Sequence, residues 1–404
     1  MLRDDSLADP GLWLLDPEIN FLNHGSFGAC PREVLVFQAE LRDRLERQPV
    51  TFLVREIERE LDLAREALAG FLDAEPAGLV FVPNATTGVN TVLRSLEPEL
   101  RADPGCELLV TDQEYNACRN ALEATAERTG AKVVVAALPF PCSAPKEVVD
   151  ALLGRVTERT RLVLIDHVVS QTGMVLPIGE IVEKLNDLGV ESLIDGAHGP
   201  GMVEVNLRAL GATYYTGNCH KWMCAPKVAG FLWVGEDRRE VVRPLVTSHG
   251  ANAALGGRSR FHAEFDWTGT FDPSAYLSVA KATEVMGGLL HGGWDELRAA
   301  NRDLAVEAQE ILCGALGIDA PCPEEMLGSM VTVPIPDSAV DAEAPSVPMY
   351  VDPLQNLLLE KYGIEVPIFP WPGFPQRVLR VSCQAYNSSP QYVKLALALK
   401  EIFG

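Results

Sequence analysis

An aspartate and a lysine stand at the ends of two successive apolar runs, and this pairing sets the first chemical expectation. Asp195 opens the motif Asp195-Gly196-Ala197-His198 directly after the run Glu191–Ile194. Lys221 lies in Asn218-Cys219-His220-Lys221-Trp222, just beyond the run Ala212–Thr216. If both runs are strands of one parallel sheet, their carboxyl ends open into a common crevice, where ligands of such sheets bind. An amine that condenses with an aldehyde, and a carboxylate that keeps a pyridine nitrogen protonated, are what pyridoxal phosphate (PLP) asks of a protein. Asn218 and His220 add polar groups within reach of a phosphate, and Trp222 and Met223 add apolar cover. Partial desolvation beside other cations lowers a lysine pKa, as attack on a carbonyl requires.

Other residues gather around this pair. His198 stands three positions after Asp195, suited to donate to the phenolate oxygen of the cofactor. Each residue alone has a plainer reading: Asp-Gly is a common turn, and a lysine at a strand end is commonly an exposed charge. Asn84-Ala85-Thr86-Thr87-Gly88-Val89-Asn90 follows the run Leu79–Pro83 and opens a helical pattern. Its free N–H groups and dipole suit a phosphate, and small residues at Ala85, Thr86 and Gly88 let the backbone approach closely, although Thr-rich starts also serve as ordinary caps. It lacks the Gly-Lys-Ser/Thr ending of a Walker loop. Tyr115, after Glu107–Thr111, could stack on a planar heterocycle or lie half-buried at the surface. Arg380 interrupts the apolar Val378–Ser382; its fork suits a carboxylate, and arginines are rarely buried without a partner.

Rival chemistries fit less well. Cys219-His220 and Cys224 lack a second Cys/His pair, so no metal is expected. His24-Gly25-Ser26-Phe27-Gly28 has His where a nucleophile elbow needs Gly, and no strand precedes it. Asn84–Asn90 holds one glycine, too few for a dinucleotide fingerprint. A non-catalytic binding module leaves the Asp195/Lys221 pairing without a purpose.

The 404 residues suffice for two domains, and 47% hydrophobic with 22% charged residues is ordinary for a globular enzyme. A net charge of −22 repels a phosphate backbone, so nucleic acid is not an expected partner; the acidity reads as solubility. Nine cysteines without regular spacing point to a reduced cytoplasmic protein rather than a disulfide scaffold. Met1-Leu2-Arg3-Asp4-Asp5 has no apolar leader core, and the longest apolar stretch, Val133–Phe140, is too short to span a bilayer.

The elements that must position these residues follow from periodicity. Residues 1–30 read as loop, and Pro31–Phe71 as helical with a break at Pro49. Seven short apolar runs follow: Leu79–Pro83, Glu107–Thr111, Lys132–Leu138, Arg161–His167, Glu191–Ile194, Ala212–Thr216 and Gly230–Val234. Helical patterns such as Ala117–Thr129, Lys146–Val156 and Ile178–Leu188 separate several of them, which predicts an α/β fold with a mostly parallel seven-stranded sheet. Beyond it come a loop at Trp267–Phe271, helices at Tyr276–Leu290 and Trp294–Leu316, and short strands at Met330–Val333 and Val378–Ser382. A Pro-rich loop, Pro367–Pro375, and a terminal helix, Pro390–Ile402, complete a smaller α+β C-terminal domain. The expected division is 1–74, an N-terminal segment with helices; 75–290, the large PLP-binding domain; and 291–404, the small domain.

With these motifs in place the chain resembles the fold type I PLP enzymes, within them the class V aminotransferase family and its isopenicillin N epimerase-like branch. The resemblance rests on Phe21-Leu22-Asn23-His24-Gly25-Ser26-Phe27-Gly28, the Asn84–Asn90 loop, Asp195-Gly196-Ala197-His198, Asn218–Trp222, Trp267-Thr268-Gly269-Thr270 and Leu379-Arg380-Val381-Ser382, in the family's order. It implies a homodimer with shared active sites. Phosphate would be held by Ala85, Thr86 and Thr87, by Asn218 and His220, and by Thr270 of the partner. Tyr115 would stack on the ring, and Arg380, with Asn23 and His24 nearby, would take an amino-acid-type substrate. The implied reaction begins at Cα–H with Lys221 as base; epimerisation is the leading expectation, and β-elimination of a cysteine conjugate or transamination the alternatives. An epimerase needs a second acid, for which Tyr115 and His24 are the candidates. Desulfurases of the family need a cysteine shortly before the arginine, and residues 338–374 contain none.

Overall fold

The computed structural model describes residues 5–339 and 351–404. Met1–Asp4, which carry most of the leader reading, and residues 340–350 of the cysteine-free stretch lie outside the described residues.

Seven strands form the central sheet: β1 (Leu79–Val82), β2 (Glu107–Thr111), β3 (Lys132–Ala136), β4 (Thr160–Asp166), β5 (Glu191–Gly196), β6 (Tyr214–Asn218) and β7 (Gly230–Val234). Their order is β1-β7-β6-β5-β4-β2-β3. The pairs from β6 to β3 are parallel, and β7 runs antiparallel to both β6 and β1. All seven expected strands are present. Two reach further than the apolar runs, because Asp195-Gly196 and Gly217-Asn218 continue the ladder with polar or small residues.

Successive residues along each strand enter opposite cores, as the period-2 pleat demands. Leu79, Phe81, Leu109, Val163, Ile165, Ile194, Tyr215 and Phe231 share one core with Leu61, Leu68, Ile181 and Leu185. Val80, Val82, Leu108, Val110, Leu162, Leu164, Leu193, Tyr214 and Leu232 share the other with Val89, Leu93, Leu96 and Leu122. A sheet buried on both faces reads as continuous apolar runs, which is why periodicity found it.

Helix Ala85–Ala102 starts immediately after β1, with the Asn84 side chain accepting from Thr87 N–H as its N-cap. The helix lies so close to β6 that a Cβ at Gly88 would collide with the Thr216 side chain. That approach brings its N-terminus against the end of β6, where Asn218 Oδ1 accepts from Ala85 N–H at 2.9 Å.

Elsewhere the chain departs from the pattern reading for local reasons. Residues 1–30 are not all loop: Asn20–Phe21 pairs in parallel with Ile364–Glu365, and His24–Phe27 forms one helical turn. Both are too short to show a period. Past Pro49 the chain resumes as a π-helical stretch, Thr51–Glu56, before the α-helix Ile57–Phe71. The expected helix Tyr276–Leu290 is two, Ser274–Leu277 and Val279–Gly287, meeting at Ser278, whose hydroxyl donates back to Ser274 O at 2.7 Å. In the C-terminal part, β8 (Met330–Ile335), β9 (Ile368–Pro370) and β10 (Arg377–Ser382) pair antiparallel in the order β9-β10-β8. The Pro-rich segment therefore contributes an edge strand, the place where a sheet tolerates proline. Helices Gly293–Leu316 and Ser389–Phe403 pack together against this sheet. Among the described residues no helix is long and apolar enough to cross a membrane.

Gly88→Val should cost about 1–3 kcal/mol by overpacking. Denaturant unfolding of the apoprotein checks this, and an unchanged midpoint would show that the helix can retreat from β6 freely.

Candidate active site

The reacting end is assembled from strand termini. β5 and β6 pair with Asp195 opposite Thr216 and Gly196 opposite Gly217, and Lys221 follows three residues after β6 ends. Lys221 Nζ lies 2.9 Å from His198 Nε2, and Trp222 Nε1–H donates to His198 Nδ1 at 3.2 Å. A neutral imidazole whose Nδ1 accepts carries its proton on Nε2, so His198 donates to an unprotonated Lys221 amine. Burial, and then Arg380, bring Lys221 down to about 8, while Asp195 and Asp166 act the other way. Burial first and Lys221 second hold His198 well below its ordinary value. His198 is therefore neutral, and the neutral form of the Lys221 amine is brought within easy reach of physiological pH.

Asp195 is buried, accepting from Ala197 N–H at 2.9 Å on one oxygen and from the Cys118 thiol at 3.0 Å on the other. Burial raises its pKa, and the Cys118 and Ala197 hydrogen bonds and then Lys221 draw it back. Burial, reinforced by Asp195, keeps Cys118 a thiol and hence a donor. Sequence reading missed Cys118, and also Glu114 and Asp166. Asp166 ends β4 directly opposite Asp195, and Glu114 follows β2, so two more buried acids join the same end of the sheet. The signal was available: each stands at or just past a strand end, as Asp195 does.

At the phosphate end, Asn218 and Asn84 side chains occupy the amides of Ala85 and Thr87, and among the described residues no protein acceptor meets Thr86 N–H. His220 Nδ1 lies 2.9 Å from Ala229 O, and burial brings this ring down to about 4. Neutral, with Nδ1–H committed to that carbonyl, its Nε2 has no proton to give; a phosphate dianion there would favour the charged ring. Thr270 is exposed on the chain's surface. Its neighbours Thr268 and Phe271 line a cavity of about 460 Å³ together with Thr87, Lys227 and Val246. The loop thus approaches the phosphate end of its own chain, although Thr270 itself is not among the residues that line that cavity. Lys221, Asp195, His198 and Arg380 are all absent from that lining.

Arg380 is 1% exposed, yet no carboxylate pairs with it among the described residues. Its terminal nitrogens donate to Ser170 O at 2.5 Å and Ser26 Oγ at 3.0 Å, its Nε has no partner, and it lies over the Phe369 ring at 5.2 Å. Burial lowers it to about 10, so it remains a cation at neutral pH. Asn23 is held by Glu365 at 3.2 Å and by the Ser26 hydroxyl, beside this arginine. Tyr115 caps helix Asn116–Thr129, is 42% exposed, and has its pKa raised by burial and then by Cys118 and Asp195.

His24 does not fit the role of a second acid. Its ring is buried, with Nδ1 2.8 Å from Tyr386 Oη and Nε2 3.0 Å from Lys221 O, and burial holds its pKa down to about 3. Both nitrogens are committed, and His24 props the backbone of Lys221 instead.

Comparison with known proteins agrees with this geometry. The sequence model of the aminotransferase class-V family matches residues 46–345. The chain belongs to that family. It is 36% identical to an isopenicillin N epimerase of Amycolatopsis lactamdurans, with 96% of each chain covered. It is 32% identical to a probable chloroplastic L-cysteine desulfhydrase of Arabidopsis thaliana, covering 95% of this chain and 83% of that one. The fold matches the cysteine desulfurase CsdA of Escherichia coli with a TM-score of 0.76 at 19% identity, over 97% of both chains. It also matches the cystine C–S lyase C-DES with a TM-score of 0.75 at 21% identity, over 97% of this chain and 99% of the other. This is a PLP-dependent enzyme of fold type I.

The residues present fit the cofactor: a neutral-prone buried amine, an acid one strand away, a helix N-terminus with an unclaimed amide, and a buried guanidinium awaiting an anion. Lys221 would bind the aldehyde carbon, Asp195 the pyridine nitrogen, His198 the phenolate, and Thr86, Thr87 and His220 the phosphate. When bound, PLP supplies an electron sink for the pair left on Cα.

Because capture needs the neutral amine, the rate of PLP binding to apoprotein should rise with pH and level off above about 8. Stopped-flow absorbance reads this, and borohydride should then fix the label on Lys221; label on Lys227 or Lys184 would overturn the assignment.

Proposed function

We propose that this enzyme removes the Cα proton of an L-amino acid or an amino-acid-derived substrate and returns a proton there, in the manner of an epimerase. The observation that carries the reading is Arg380, a buried cation with no anionic partner among the described residues. An α-carboxylate seated on its fork supplies that anion. The Lys221 amine, brought near neutrality and hydrogen-bonded to His198, is the base for the proton. The 36% identity to an isopenicillin N epimerase supports epimerisation over other uses of this step.

The second reading is β-elimination of a cysteine conjugate, and one observation favours it. Elimination needs only Lys221 as base, whereas epimerisation needs an acid on the opposite face, and His24 is committed elsewhere. Tyr115, with its phenol kept protonated by burial, is the remaining candidate. Desulfurase chemistry is disfavoured, because residues 338–374 hold no cysteine and the nearest, Cys322 and Cys383, are buried.

Incubating the purified holoenzyme with a panel of L-amino acids in deuterated water separates the readings. Deuterium at Cα with loss of optical purity supports epimerisation, and pyruvate release supports elimination. Tyr115→Phe should abolish inversion while retaining deuterium exchange from the L-face; full inversion by this variant would remove Tyr115 from the mechanism.

We further infer a homodimer that shares its sites. Thr270 is exposed, and Val228, Leu245 and Val246 are exposed apolar residues around the neighbouring cavity. A second copy placed over this face would cover them and bring Thr270 to the partner's phosphate. Mixing Lys221→Ala with an inactive Thr270 variant should then restore part of the activity, since one hybrid site receives both wild-type residues. No recovery, or a monomer by sedimentation, would defeat the shared site. All nine cysteines are buried free thiols, which suits the reducing cytoplasm as the compartment.

A further inference from the structure

Three neighbouring strands of the parallel sheet each deliver a carboxyl group to the same buried spot. Asp166 ends β4 and Asp195 lies on β5 as its register partner. Glu114 arrives from the turn after β2, which pairs with β4 on its other side. All three side chains are at least nine-tenths buried. Glu114 and Asp166 lie within hydrogen-bonding reach of each other. One oxygen of Glu114, one of Asp195 and the Cys118 sulfur all fall within 4.8 Å of one another.

The three acids are not equivalently satisfied. Asp195 accepts from Ala197 N–H and from the Cys118 thiol. Among the described residues no well-formed hydrogen bond reaches either Glu114 oxygen or Asp166 Oδ2, and the Tyr115 N–H is the backbone donor near enough to both acids to favour their anions. Three adjacent carboxylate anions in such a place would face one cation, Lys221. The other titratable groups facing the cluster are Tyr115 and Cys118 from the following helix, His167 beside Asp166, His198 beside Asp195, and Tyr215 on β6. None is positively charged there: burial brings His167 down to about 4 and His198 well down, and keeps Tyr115, Cys118 and Tyr215 protonated. A proton on each of Glu114 and Asp166 gives their orphaned oxygens O–H donors and removes the repulsion, since like carboxylates in contact do not ionise together.

We propose that Glu114 and Asp166 are positioning residues, a neutral, mutually hydrogen-bonded pair of carboxylic acids that leaves Asp195 as the ionised member of the cluster. The negative charge is then fixed on the one acid that Cys118 and Ala197 orient toward the pyridine nitrogen. Burial and the neighbouring acids push Glu114 and Asp166 far above the carboxylate range, and Asp195 is raised less, because its donors stabilise the anion. The inference rests on PLP at this site and not on which reaction follows.

The test uses the holoenzyme and the variants Glu114→Gln, Asp166→Asn and their double. Infrared spectra at pH 7, in water and deuterated water, should contain the carbonyl band of a neutral carboxylic acid, which the double variant loses. Replacing neutral acids by neutral amides should also leave the pH midpoint of the cofactor's visible absorption within about 0.3 unit, whereas removing true anions there would lower it by about one unit or more. Thermal stability gives a third readout with a defined sign. Acids whose folded pKa is raised stabilise below the unfolded value and lose that contribution as pH rises toward the folded one. The double variant should therefore gain on the wild type as pH increases above about 4. A missing carboxylic band in yellow protein, a one-unit fall of the visible midpoint, or a pH-independent stability difference would each overturn the proposal. If the double variant fails to fold, Glu114→Gln alone decides through the first two readouts. Colourless wild-type protein would instead defeat the cofactor assignment, so the two failures are told apart.

Discussion

The registration of β4, β5 and β6 is the constraint on which the site depends. Parallel pairing places Asp166 beside Asp195 and Asp195 beside Thr216, so three strands terminate at one level. From that level the chain needs three residues beyond Asn218 to bring the Lys221 amine to His198. A slip of one residue would turn every side chain to the other face and send Ile194, not Asp195, into the crevice. The two cores prevent such a slip, since alternate residues of every strand are already claimed by opposite apolar layers. Packing far from the chemistry thus holds the chemical groups in register.

The site is held away from its electrostatic minimum. Among the described residues Arg380 is buried without an anion, and Lys221 is buried against a neutral histidine. Paired inside the protein, these cations would be quieter and less useful. An unpaired buried charge is costly to keep, and the cost is lowered when an anionic ligand arrives. Ser26, Ser170 and the Phe369 ring make the arginine tolerable without neutralising it. The backbone near the lysine is strained as well: Cys224 and Val228 adopt φ of 58° and 73° in the segment leading to β7. His24 Nε2 against Lys221 O and the bond from Ala225 N–H to Cys219 O hold that segment in place. Such strain persists only where surrounding contacts enforce it.

Much of this was legible in the sequence because a two-sided sheet announces itself in apolar runs, and because Asp195 and Lys221 terminate two of them. Residues whose role depends on three-dimensional closure were not legible. His24 looked like a candidate acid from its motif, but only the folded chain shows Tyr386, from the far terminus, capping its Nδ1. Cys118 reads as a buried helix residue until Asp195 is found 3.0 Å away. Ile368–Pro370 was hidden by prolines, since composition reports turns and does not report that an edge strand needs few donors. Asp166 could have been noticed, for its strand ends as β5 does; what the sequence withheld was that the two strands are neighbours.

The two readings of the reaction share every group up to the loss of the Cα proton and diverge on the opposite face. With His24 committed elsewhere, the candidate for the acid on that face is the Tyr115 phenol. A phenol whose pKa is raised by burial stays protonated throughout the neutral range, so it carries a proton to give and has no site free to take one. Lys221, near 8, exchanges in both directions. If the proposed pair holds, it is asymmetric: the amine would deprotonate the L-substrate and the tyrosine would return the proton. A substrate bearing a good leaving group at Cβ escapes this asymmetry, because departure of the group consumes the electron pair before the phenol is needed. In such a site the substituent at Cβ, rather than the catalytic residues, would decide between inversion and elimination, in keeping with relatives that bear the names of both kinds of enzyme.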